Sequence, residues 1–161
     1  MLVIPAITEE YRRYQSVAEK ALAQVDDATF FTLDGEVSIA VYVKHVGGNL
    51  HSRFTDFLTS DGEKPWRNRD GEFDFDRTQR AELMDVWRQG WSTLFATLGG
   101  LSDGDLGKSV KIRGSELTVA LALARSLAHT AYHAGQIVLL AKSAAGGQWK
   151  NLSMPRIPAA R

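Results

Sequence analysis

The chain has 161 residues, and lysine plus arginine balances aspartate plus glutamate at 19 each, so no gross-charge attraction draws it to nucleic acid or an anionic membrane. Hydrophobic residues make up 44%, enough to build a core, and a single domain over residues 1–161 is the expectation. Cysteine is absent, which excludes disulfides, thiolate ligands and a cysteine nucleophile, so any metal site must use histidine, carboxylate or water.

From about Thr8 to Ala28, the residues Tyr11, Tyr14, Ala18, Leu22 and Val25 recur at three- and four-residue steps and predict an amphipathic first helix. A second helix is expected from about Ser38 to Thr59 on the stripe Ile39, Val43, Val46, Leu50, Phe54 and Phe57, stopped by Asp61-Gly62. Residues 61–76 are charged, aperiodic and contain Pro65; a connection this long in a small domain is a place to look for function. Trp66, Phe73 and Phe75 are expected to anchor it on the helices. Asp76 followed by Gln79 resembles a capping box, and Leu83, Val86, Trp87, Gly90, Trp91, Leu94 and Leu98 mark a third helix to about Gly99. Trp87 and Trp91 read as aromatics of the core or of a dimer interface. Ser109 to Arg113 alternates before Gly114 and predicts a short extended turn or hairpin. A long fourth helix follows from about Leu117 to Ala145, ended by Gly146-Gly147, and the tail with Pro155 and Pro158 is expected to be irregular. No signal-peptide pattern opens the chain and no run approaches the roughly 20 apolar residues that span a bilayer, so a soluble cytoplasmic protein is expected.

The fourth helix is nearly apolar, which makes its exceptions informative. At about 100° per residue, Arg125, Ser126, His129, Tyr132, His133 and Gln136 all fall within roughly 60° of His129. Such a stripe on an arbitrary helix would simply face water, but a solvated face carries Lys and Glu, and this one carries imidazole, phenol and amide groups over its central turns. His129 and His133 stand four apart, so their rings lie one turn above the other and can close on one ion. The helical metalloprotease signature is absent, because Thr130 and not Glu follows His129. A third ligand must then come from another helix. His45 and His51 lie about 120° apart on the second helix, so only one can point at the ion. His45 shares a polar face with Asn49, Ser52 and Asp56 and is the choice; His51 is expected to be an ordinary surface histidine.

Ser-Ile-Ala-Val-Tyr-Val-Lys-His45, followed far downstream by His129-Thr-Ala-Tyr-His133-Ala-Gly-Gln-Ile, resembles the DinB/YfiT-like superfamily over almost the whole chain. Ser-Arg53-Phe-Thr-Asp56-Phe, the segment from Asp61 through Pro65-Trp66 to Arg69-Asp70, and Trp149 followed by Leu152-Ser-Met-Pro155 are most similar to an uncharacterised branch of it. The resemblance implies an all-α four-helix bundle in up-down-down-up order, commonly a homodimer, with one His from the second helix and two from the last on a divalent ion. It also implies a possible reaction class, because relatives include transferases and isomerases that use low-molecular-weight thiols.

Three neutral imidazoles leave a divalent ion with open positions, so a low-molecular-weight thiol attacking an electrophile is the expected chemistry, with metal-dependent hydrolysis as the alternative. A non-catalytic protein that binds a metal or small molecule as a dimer is the rival outside enzymology. Zinc or nickel is expected before manganese. Asn49, Asp56, Tyr132 and Gln136 are candidates for orienting ligands or substrate, each equally readable as a helix-packing partner. Arg53, Arg67, Arg69 and Lys64 could receive a carboxylate on a substrate or thiol, although loop charges of this kind commonly pair with Asp61, Glu63 and Asp70 instead.

Overall fold

The computed structural model describes residues 2–34, 37–73 and 79–152; Phe75, Asp76, Met154, Pro155 and Pro158 of the sequence reading lie outside the described residues. These residues form five α-helices and one hairpin: α1 Val3–Leu22, α2 Asp27–Phe31, α3 Ile39–Phe54, α4 Arg80–Gly100, β1 Ser109–Ile112, β2 Ser115–Thr118 and α5 Val119–Ala145. None of the helices among them is long and apolar enough to cross a membrane.

The first helix begins five residues earlier than its local pattern suggests. Asp103 accepts from the backbone N–H of Val3 at 2.8 Å and of Ile4 at 2.9 Å, so a side chain 99 and 100 residues away satisfies donors that a helix start leaves free. The helix ends at Leu22 and not near Ala28, because Arg80 from the start of α4 binds the carbonyls of Leu22 at 2.7 Å and Val25 at 2.8 Å. Asp26 then caps the short α2 by accepting from Thr29 N at 2.8 Å. Gln79 is the N-cap of α4, in a box with Glu82.

α3 stops at Phe54, five residues before the expected end. Thr55 is extended and Asp56 takes φ 49°, a left-handed turn that Asp tolerates better than most residues, and this swings Phe57 back into the core. Ser38 caps the other end of α3 by accepting from Val41 N at 3.2 Å.

α3 packs against α4 and α1 against α5. Trp87 and Trp91 are both buried, with Trp91 edge-on to Tyr11 at 6.3 Å between ring centroids, so both are core aromatics. Gly47 and Gly90 allow the α3 and α4 backbones to touch: a Cβ on Gly90 would collide with the Gly47 carbonyl, and one on Gly47 would sit 2.6 Å from the Val86 oxygen. This closeness holds α3 on a rigid neighbour along the stretch that carries His45.

The hairpin is strapped to the end of α3. Arg113 (φ 54°) and Gly114 (φ 73°) form its two-residue turn, and the Asp61 carboxylate accepts from both of their N–H groups, at 2.8 and 2.7 Å. Holding Arg113 in the left-handed region costs on the order of 1 kcal/mol, offset by these bonds. Gly62 N also donates to Lys111 O at 2.8 Å.

Gly90→Ala should lower stability by about 2 kcal/mol in denaturant titration even though helix propensity alone favours Ala by about 1 kcal/mol. Gly99→Ala, where a Cβ meets nothing within 4 Å, should be neutral or slightly stabilising. A Gly90→Ala protein as stable as the parent would contradict the close backbone contact.

Candidate metal centre

α3 contributes His45, and α5, held from its capped start at Thr118, contributes His129 and His133 one turn apart. Their Nε2 atoms converge: His129 Nε2 lies 3.1 Å from His45 Nε2 and 3.1 Å from His133 Nε2. One ligand atom from each of the three lies within 4.8 Å of the others, so the three histidines could hold a metal ion. Tetrahedral coordination at the usual metal–nitrogen length spaces ligand nitrogens about 3.3 Å apart, close to what is found here.

The remaining ring nitrogens decide whether those Nε2 atoms are free to bind. His45 Nδ1 is 2.7 Å from a Glu72 carboxylate oxygen. Burial pushes the Glu72 carboxyl up, but hydrogen bonds from His45 and Arg67, together with the Arg67 charge, outweigh it and hold the group below its ordinary value. An ionised carboxylate only accepts, so the His45 proton sits on Nδ1 and Nε2 keeps its lone pair. His133 Nδ1 is 2.7 Å from Gln136 Oε1, while Gln136 Nε2 donates to Tyr42 OH at 2.9 Å and to Tyr132 OH at 3.4 Å. With the amide oxygen of Gln136 facing the ring, His133 also carries its proton on Nδ1. His129 Nε2 therefore faces two lone pairs, and a single N–H can satisfy only one of them. A cation at the meeting point satisfies all three, so the donor set fits a metal.

The surroundings favour the neutral form of His129 and His133. Burial lowers His129 to about 4, helped by the neighbouring His133 and His45 and by Arg67 and Arg53. His133 is lowered by burial and then by His45, with Gln136 opposing.

Glu72 is the functional residue that the sequence reading passed over. It sits in a short 3-10 turn, Asp70–Phe73, inside the long connection and is only 4% exposed. Arg67, itself buried, binds it through Nε to Oε1 at 2.9 Å and through NH2 to Oε2 at 3.1 Å. The available signal was chemical and not periodic, since a ligating histidine usually gives its second N–H to a carboxylate, and the connection is rich in them. Two of the Arg67 donors are thus engaged by Glu72, while its NH1 is buried without a hydrogen-bond partner. The connection is held by these polar contacts, with Lys44 Nζ on Gly71 O at 2.5 Å, and by ring contacts to α3 from Trp66 and Phe73, each 53% exposed, whose rings lie 4.9 Å from that of His51 and 6.3 Å from that of His45.

The other residues singled out from the sequence fall as follows. Asn49 is buried beside His45 and lines a cavity of about 320 Å³ that reaches His45 and His129; Arg53 and Arg69 line it too. Tyr132 is exposed, with its ring 5.0 Å from that of His133. Asp56 does not join the site, because α3 ends before it and it sits exposed on the following turn. Lys64 is buried and spent on Ser60 Oγ and Asp61 O, each at 2.5 Å. His51 stands apart from the triad, bonded to Thr93 at 3.0 Å and Gln89 at 3.3 Å.

Helices that bring three imidazoles to one point, backed by a buried carboxylate, define a mostly helical protein able to hold a metal ion. The chain belongs to the DUF1572 family, described as proteins of unknown function, whose family model matches residues 3–158. No curated protein and no solved structure matches the chain.

Glu72→Gln should weaken zinc binding by about 10- to 100-fold in competition with a chelating dye, with circular dichroism confirming the fold; unchanged affinity would contradict the role given to Glu72. The metal-free protein should also lose stability as pH falls from about 6.5 toward 4. In that window an unfolded His129 takes up a proton that the folded one refuses, so the unfolded state binds more protons. His129→Asn should flatten this slope in urea titrations run across the same pH range.

Proposed function

We propose that this chain is a DinB-like metalloenzyme in which His45, His129 and His133 hold one divalent ion and a low-molecular-weight thiol is transferred to an electrophile. The observation that carries this reading is the convergence of three Nε2 atoms, two of them with lone pairs fixed by partners on Nδ1. The four long helices, α1, α3, α4 and α5, support a bundle of up-down-down-up order. An all-imidazole set suits zinc or nickel better than manganese, which prefers oxygen ligands.

When bound, the ion supplies a Lewis acid with open positions that lowers the pKa of a thiol or water. The chain's own residues do the rest. Glu72 and Gln136 orient His45 and His133 through their Nδ1 protons, and Arg67 keeps Glu72 ionised. Asn49, buried next to His45, offers an amide to position substrate. With cysteine absent from the chain, the sulfur must arrive on a small molecule. The cavity already reaches two of the three ligands, His45 and His129, which gives that molecule a route to the ion.

An exposed face of α5 supports the expected homodimer. Leu121, Tyr132 and Leu139 are 42%, 64% and 66% exposed and lie within about 40° of one another around the helix. Sedimentation of the full chain should give a dimer at micromolar concentration, and a monomer there would remove this part of the reading.

Untagged protein offered zinc, nickel or manganese should bind one equivalent, with the site lost in each triad variant and kept in His51→Ala. A panel of thiols and electrophiles should reveal metal-dependent consumption of thiol, abolished in His133→Ala without loss of helical signal. Hydrolysis of the electrophile in place of thiol transfer, or tight binding of a small molecule with no turnover at all, would contradict the transferase reading.

A further inference from the structure

The cavity of about 320 Å³ beside the triad is lined by four arginines, Arg53, Arg69, Arg113 and Arg125, and by no aspartate or glutamate. They come from four different places: the last turn of α3, the long connection, the hairpin turn and the first half of α5. Two carboxylates stand behind them. Glu63 serves both Arg53 at 3.5 Å and Arg113 at 2.9 Å. Asp61 is occupied by the backbone N–H groups of Glu63, Arg113 and Gly114. Four guanidinium groups against two carboxylates leave a surplus of positive charge among the described residues. Arg53 NH1 is buried without a hydrogen-bond partner. The lining also includes the apolar side chains of Phe54, Phe57, Ile112 and Leu117.

We infer that this cavity binds an organic anion with an apolar carbon body, its carboxylate or phosphate held by these arginines and its other end directed at His45 and His129. Guanidinium groups recognise both oxyanions through paired N–H donors, and apolar lining in the same cavity favours an anion with a carbon body over a small inorganic ion. The volume lies at the small end of ligand sites, which limits the anion to roughly the size of a single substituted ring or a short chain. That this anion is the substrate rests on the metal reading above; that the cavity binds it does not.

The test uses phenylacetate, phenyl phosphate and uncharged 2-phenylethanol, titrated by calorimetry into the full chain with and without zinc, with zinc stoichiometry measured on the same samples. The anions should bind at least about tenfold more tightly than the alcohol, and the two anionic probes identify the preferred headgroup. Arg125→Gln and Arg69→Gln, at exposed positions that should not disturb folding, should each weaken the preferred anion at least about threefold and together at least about tenfold. Arg88→Gln, on the surface of α4, should leave it unchanged. Equal affinity for anion and alcohol, or an undiminished double variant, overturns the inference. Zinc binding without arginine-dependent anion binding sinks the cavity assignment and leaves the metal reading standing; the reverse pattern sinks the metal reading alone.

Discussion

Glu72 reaches across 27 residues of sequence to His45 and, with its other contacts, binds Arg67. A buried carboxylate is costly unless it is paired, and here both partners matter to the site. Arg67 keeps the acid ionised, and an ionised acid can only accept, so the His45 proton is confined to Nδ1. The same contact ties the long connection to α3, where a Cβ on Gly48 would lie 2.7 Å from Glu72 Oε1. The loop's path, the carboxylate's charge and the direction of the His45 lone pair are thus one arrangement. Removing the carboxylate would release all three, while leaving Arg67 buried and unpaired.

Positive charge governs the rest of the site. Arg53 and Arg67 help to keep His129 neutral, which is what a metal ligand needs, yet the same field opposes a bare cation at the triad. An anion in the adjoining cavity would relieve that opposition. A metal at the triad and an anion in the cavity should therefore favour each other's binding, and by linkage the effect is reciprocal.

What could be read from the sequence follows the distinction between local and distant causes. His129 and His133 share a face because of helical geometry alone, and the choice of His45 over His51 came from the angle between them and the polar face that His45 shares with Asn49, Ser52 and Asp56. The long helices were legible for the same reason. Their ends were less so, because α1 is capped by Asp103 and closed by Arg80, partners that no window around Val3 or Leu22 contains. The apolar phase of α3 continues to Phe57, but the chain reaches it through a left-handed Asp56, which also removes Asp56 from the polar face where helical spacing placed it. Glu72 was hidden in an aperiodic segment, where spacing carries no information and only the chemistry of a ligating imidazole would have prompted the search. Arg67 illustrates the same limit: its charge was visible, but its commitment to Glu72 was not.

Nitrogen–proton NMR correlations of the histidine rings in metal-free protein at neutral pH distinguish the tautomers directly. His45 and His133 should both carry their proton on Nδ1 with Nε2 bare, and titration with zinc should shift the Nε2 resonances of both along with that of His129. An Nε2–H tautomer at His45 or His133, or zinc-induced shifts at Nδ1 in place of Nε2, would contradict the view that Glu72 and Gln136 set these rings to receive a metal ion.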